Sequence, residues 1–320
     1  MLYQYDGHIY LKTFYKMASG ENFYVALQEA ALADRRIDKL DQWISGTTMV
    51  KMPTTFYMWR LLAGSNGINI FYLSLVLTML ALVAIFYALD STAGMRAASL
   101  GAIFVAPYLY ICANWDNILF PDWWAALFGL IGIALYLRKN YIPAAVVVTI
   151  AALMREPMGL LIVSGILAGI IVRNYRIWLP FSISLLSFVT LYLVHNHFTK
   201  VYVHVAGSGM STFYHGIQTT AISITTSYLA FPISMIGINM VLPFLAIAAA
   251  FYLKDWEDRI LVATFLGSFT LFLFIIQPSS YWGQMFMPVV LVFLPLLLKP
   301  VYQAIGKYSE AYVEPIASKS

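Results

Sequence analysis

Charge is scarce in this 320-residue chain: Asp, Glu, Lys and Arg make up only 11% of it, less than half of the roughly one quarter usual in water-soluble domains. With 61% of residues hydrophobic, an ordinary soluble domain is excluded and an integral membrane protein is implied. Cysteine is rarer still. A single one, Cys112, rules out an intramolecular disulfide framework and a Cys-based metal site. The opening residues MLYQYDGHIY lack the basic-then-apolar order of a signal peptide. No internal repeat, linker or low-complexity stretch is visible, so one membrane domain is the simplest organisation. G-x-S-x-G, the P-loop and H-E-x-x-H are also missing, which argues against the commoner hydrolases and ATP-driven pumps.

What the chain does have is a polar start and a long apolar remainder. Residues 1–67 read as an extracytoplasmic first loop. Within it, ENFYVALQEAALADRRIDKLDQW forms a helix lying along the membrane, with Phe23, Leu27, Ala30, Ala31 and Ile37 near helical spacing. The charges from Asp34 to Asp41 are then a solvated face. Nine apolar segments follow, at 68–89, 97–113, 121–137, 141–154, 157–172, 177–194, 230–253, 260–277 and 282–298. Most approach the ~17–25 residues that cross a hydrocarbon core, which predicts an all-α polytopic protein with about nine transmembrane helices in residues 68–298. Six tryptophans, Trp115, Trp123, Trp124, Trp178, Trp256 and Trp282, fall near segment ends and read as interfacial anchors.

Charge fixes the topology. With 141–154 and 157–172 as a hairpin, one side of the membrane collects Arg96, Arg138, Lys139, Arg173, Arg176, Lys254, Arg259, Lys299, Lys307 and Lys319, and the other only Arg155 and Lys200. That is a positive-inside pattern, and it accounts for the net charge of +4 without a nucleic-acid partner. Residues 299–320 become a cytoplasmic tail. Nine spans then place residues 1–67 outside, and nothing upstream explains their export, so a further apolar helix before Met1 is expected.

The outer side gathers the candidate chemistry: Asp6, His8, Asp116, Asp122, Arg155 and Glu156, together with an outer loop at 195–229 holding His195, His197, His204 and His215. Arg155-Glu156-Pro157 sets a guanidinium beside a proline-started helix, whose free N–H groups suit a phosphate; neutralisation of Arg155 and Glu156 by each other or by a neighbour is the plainer alternative. Asp122 opens the segment PDWWAALF, as a dipole-compensating cap or as a partner for sugar hydroxyls. The histidine spacing matches no strong metal-ligand pattern.

These residues resemble the GT-C superfamily of polytopic glycosyltransferases, in particular its protein-mannosyltransferase-like members. YDGHIYL with KMASGENFY is similar to the family's first outer loop, KMPTTFYMWRLLAGSNG to the end of that loop, PDWWAALF and AALMREPMGLLIV to its helix starts, and YWGQMFMPVVLVFLPLL to its final helix. Gln284 stands where many relatives carry a basic residue. The resemblance implies an enzyme of the cell envelope's plasma membrane, which moves a sugar from a polyprenyl-phosphate-linked donor to a glycan, lipid or protein acceptor on the extracytoplasmic face. It implies Asp6 as general base or acceptor-orienting carboxylate, and Arg155, with Lys51 or Arg60, as holder of the lipid phosphate. No cofactor beyond the donor is expected. A transporter or flippase, a glycan polymerase or ligase, and a non-catalytic assembly subunit are the alternatives.

Overall fold

The computed structural model describes residues 3–33, 51–113, 115–203, 236–275 and 283–304. Every element among them is a helix. The charge cluster at 34–41, residues 204–229 of the expected outer loop, with His204 and His215, and residues 305–320 of the tail lie outside the described residues.

The polar start is three short helices: α1 (Tyr3–Ala18), α2 (Phe23–Leu32) and α3 (Thr54–Ala63). The apolar remainder continues as α4 (Ile68–Ala93), α5 (Met95–Cys112), the one-turn α6 (Trp115–Ile118), α7 (Pro121–Leu137) and α8 (Tyr141–Met154). After a 3-10 turn at Glu156–Met158 come α9 (Gly159–Ile171), α10 (Tyr175–Tyr202), α11 (Ile236–Ala250), α12 (Trp256–Ile275) and α13 (Gly283–Phe293), extended by a 3-10 stretch at Leu294–Leu298. Each of the nine apolar segments therefore coincides with a helix. α1 lies within the first loop, where surface helices are expected. One boundary differs from expectation: α10 runs through His195 and His197 to Tyr202, so the first eight residues of the expected 195–229 loop are helical.

α7 is the centre. It packs against α4, α8 and α13, and fourteen of its seventeen residues are buried, as befits a helix that is apolar all round. Trp123 and Trp124 belong to this core. The Trp123 indole donates to Ser74 Oγ (2.9 Å) and the Trp124 indole to the Ile118 carbonyl (2.7 Å), so these two are packing residues, not interfacial anchors; Trp178 and Trp256 remain partly exposed.

α4 and α10 are the opposite case. Both are strongly apolar, yet only 28% and 17% of their most apolar windows are buried. Tyr72, Val76, Met79, Leu80, Val83 and Tyr87 form an outward stripe along α4 at three- and four-residue spacing. Three helices, Ile68–Ala93, Tyr175–Tyr202 and Met285–Ala304, are long and apolar enough to cross a membrane.

Two hairpins share one turn. α7 ends at Arg138 and α9 at Val172, and the next residues, Lys139 (φ 62°) and Arg173 (φ 55°), are left-handed. Asn140 N–H returns to Leu135 O (2.9 Å), and Asn174 N–H to Gly169 O (2.8 Å). Both closures cap the helix end and reverse the chain within two residues. The α9–α10 hairpin closes tightly because a Cβ at Gly169 would collide with the backbone of Trp178.

The basic connections meet at one end of the bundle. Arg96 Nη1 donates to the Tyr302 carbonyl, Lys299 Nζ to the Tyr252 carbonyl, and Lys139 Nζ reaches Asp255, Glu257 and Asp258. Arg155 lies at the far end of α8, about 21 Å away for 14 residues at the helical rise.

Candidate functional site

The far end of α8 is built by two chain reversals. α7 starts with Phe120 extended and Pro121 at its first position, which fixes φ and needs no N–H. Asp122 follows in the first turn, where a carboxylate opposes the helix dipole. α8 stops at Arg155, whose φ of −146° is extended, and Pro157 opens the next turn. The starts of α7 and α9 thereby come together, and Arg155 Nε donates to Asp122 Oδ1 at 2.8 Å. Both side chains are buried, at 2% and 0% exposure. Glu156 Oε2 lies 3.6 Å from Arg155 Nη1 and is partly open to the outside. A buried pair of this kind balances its charge locally, because its desolvation is offset only by close pairing.

The short helices cover this corner. Tyr10 of α1 packs edge-on against Phe120 (5.9 Å between centroids) and Phe56 (5.7 Å), and Trp59 of α3 against Trp124 (5.9 Å). α1 also packs on α6. The backbones carrying Asp6, one turn before Tyr10, and Asp116, in α6, therefore border the same corner; their side chains, like that of Gln284 in α13, are outside the described residues.

Among the described residues, Asp122 Oδ2, Thr55 Oγ1 and Trp59 Nε1 at this end are buried with no hydrogen-bond partner, as is Asn196 Oδ1 near the end of α10. Thr55 and Trp59 are one helical turn apart on α3, and each such atom costs about 1–3 kcal/mol unless something binds it. One acceptor, one hydroxyl and one N–H form a set suited to hydroxyl-rich ligands.

Lys51 sits just before α3 and is 7% exposed, with no ion-pair partner among the described residues. α3 has Pro53 as its N-cap and no side-chain cap bond, so its first amides follow a buried cation within a few residues of chain. That combination favours an anion. Arg60, one of the two additional cations weighed for the phosphate, is exposed. His8 is also exposed.

His195 takes a different role from that of a loop histidine. Its Nδ1 is 2.9 Å from the Tyr24 hydroxyl, and the two rings stack at 5.6 Å. Burial pushes the Tyr24 phenol up to about 12, so it keeps its proton at neutral pH. The contact ties α2 to α10.

Thr55, Trp59 and the Tyr24–His195 link were not legible in the sequence, since partners 171 positions apart leave no local signal. A threonine and a tryptophan four apart after a proline were the only hint of an inward face.

No family model, curated protein or solved structure matches this chain.

Proposed function

We propose that the chain is a polytopic membrane glycosyltransferase that uses a polyprenyl-phosphate-linked sugar donor, with its nine apolar helices as spans and the Arg155 end facing outside. The chief support is the placement at one end of the bundle of a buried cation, Lys51, and the buried atoms Asp122 Oδ2, Thr55 Oγ1 and Trp59 Nε1, none of which has a partner among the described residues. A phosphate on Lys51 and the start of α3, with sugar hydroxyls against Thr55, Trp59 and Asp122, would use all of them. Arg155 is already matched by Asp122 and serves chiefly to fix the two helix starts. Basic connections at the opposite end are consistent with a cytoplasmic face there.

In this reading an acceptor hydroxyl attacks the anomeric carbon, the carbon–oxygen bond to the lipid phosphate breaks, and the phosphate leaves with the electron pair. Asp6 takes the hydroxyl proton. Positioned proton transfer contributes about 10²–10⁴-fold, and Asp6→Asn is expected to reduce transfer by that factor. The test is sugar transfer by the full chain in liposomes, from a panel of radiolabelled polyprenyl-phosphate sugars to membrane extract. A mutant as active as wild type removes Asp6 from the reaction, and a wild type that consumes no donor returns the protein to the transporter reading.

Lys51→Gln gives a second outcome. Losing a charge-assisted contact to a phosphate that gains negative charge as the carbon–oxygen bond breaks raises KM for the donor and lowers kcat, together about tenfold in kcat/KM. Unaltered kcat/KM for the donor would shift the phosphate to Arg60 or Arg155.

A further inference from the structure

At the opposite end of the bundle, about 21 Å from Arg155 along α8, a groove of about 330 Å³ opens between α4 and α7. Its walls are Ala84, Tyr87, Ala134 and Leu135, and its rim is Arg138 and Asn140. The α7–α8 turn explains this polarity. The left-handed Lys139 directs its ammonium to Asp255, Glu257 and Asp258 on and before α12. Its neighbour Arg138 is exposed on the groove and has no ion-pair partner among the described residues. Adjacent cations are thus divided, one consumed by three carboxylates and one left facing outward.

Asn140 repeats the contrast. Its counterpart Asn174 caps the next helix through its side chain, accepting from Arg176 N–H at 3.1 Å, whereas Asn140 makes no side-chain cap and lines the groove instead. A guanidinium and an uncommitted amide therefore sit above an apolar trough. That trough continues into the outward apolar stripe of α4 through Leu80, Val83 and Tyr87.

We propose that this groove binds an anionic phospholipid of the surrounding leaflet, its phosphate on Arg138 and Asn140 and the start of an acyl chain against Ala84, Tyr87, Ala134 and Leu135. The proposal rests on the membrane reading and not on sugar transfer. Guanidinium–phosphate pairing supplies charge complementarity, and the apolar walls select a lipid over a free anion, which would gain nothing from them.

The experiment is native mass spectrometry of the detergent-solubilised full chain, titrated with phosphatidylglycerol or with phosphatidylcholine of the same acyl chains. Wild type is expected to hold phosphatidylglycerol roughly tenfold more tightly, because the phosphate of phosphatidylcholine is balanced by its own choline ammonium, which Arg138 repels. Arg138→Gln should abolish that preference and Arg173→Gln should keep it. Ala84→Phe, which fills the trough, should weaken both lipids while leaving the thermal transition in place. Equal retention of the two lipids, an intact preference in Arg138→Gln, or unchanged affinity in Ala84→Phe would each overturn the assignment.

Discussion

Asp122 and Arg155 pair where neither side chain has access to water. At 0% and 2% exposure, removing one partner strands the other, and Asp122→Ala is expected to cost about 3–5 kcal/mol. Replacing both by apolar side chains, Asp122→Leu with Arg155→Met, should recover most of that loss, because the desolvation cost goes with the charges. Unfolding of the two variants in mixed micelles checks this; a single variant that loses less than about 1 kcal/mol would show the pair to be worth no more than a surface one. The sequence set Arg155 two residues before a helix-starting proline, which opens a 3-10 turn ahead of α9, but it could not assign Arg155 its partner. Glu156 is adjacent in the chain, yet the short contact goes to Asp122, 33 positions earlier, because two helix starts converge there. Lys51 shows the same limit. Its place before α3 was readable, whereas its burial follows from how α3 packs on α1 and α8.

Among elements, the α7–α8 turn and the start of α12 form a clasp of one lysine and three carboxylates. Burial alone would lower the Lys139 pKa, but hydrogen bonds to Asp255 and Asp258 outweigh it and the net shift is upward. Burial pushes the Asp258 carboxyl up to about 7, against the pull of Lys139. Between its ordinary value near 3.8 and about 7, the native state therefore holds a proton that the unfolded chain has released. Stability from this group is complete below the lower value and is lost as pH rises through the upper one. Wild type should accordingly unfold more readily at pH 8 than at pH 5 by this contribution, and Asp258→Asn should flatten that slope, as thermal unfolding in detergent at the two pH values would show. An unchanged slope in the variant would place the titration elsewhere. Hydropathy located both helices of the clasp but not their contact, since Lys139 and Asp258 lie 119 positions apart. α10 was read short for another reason. His195, Asn196 and His197 look like loop composition, but packing of α2 on α10 and the Thr199 Oγ1 bond to the His195 carbonyl keep them helical.

For the whole molecule, the distribution of apolar surface is inverted relative to a water-soluble bundle: the central helix is buried, and the outermost ones, α4 and α10, are also apolar enough to cross a membrane. The nine apolar segments were legible because length and hydropathy alone define them, and the structure makes a helix of each. Leu80, 55% exposed at the middle of α4, separates the two solvents. In water an exposed Leu→Arg change is nearly neutral, within about 0.5 kcal/mol. At the centre of a membrane helix it costs about 2.5–3.5 kcal/mol. Leu80→Arg is expected to lower recovery in the membrane fraction several-fold, measured by fractionation of expressing cells; normal recovery would argue that α4 does not face lipid.

The Tyr24–His195 contact also sets an order of events. Its two halves are 171 residues apart, and at about 5–20 residues per second the ribosome needs roughly 10–30 s to make the second after the first. Through that interval α2 has no α10 to dock on. The α2 side of this cover can therefore close on α10 only after more than half the chain exists, so a nascent chain arrested before residue 195 should leave α2 open to protease and one arrested well beyond α10 should protect it.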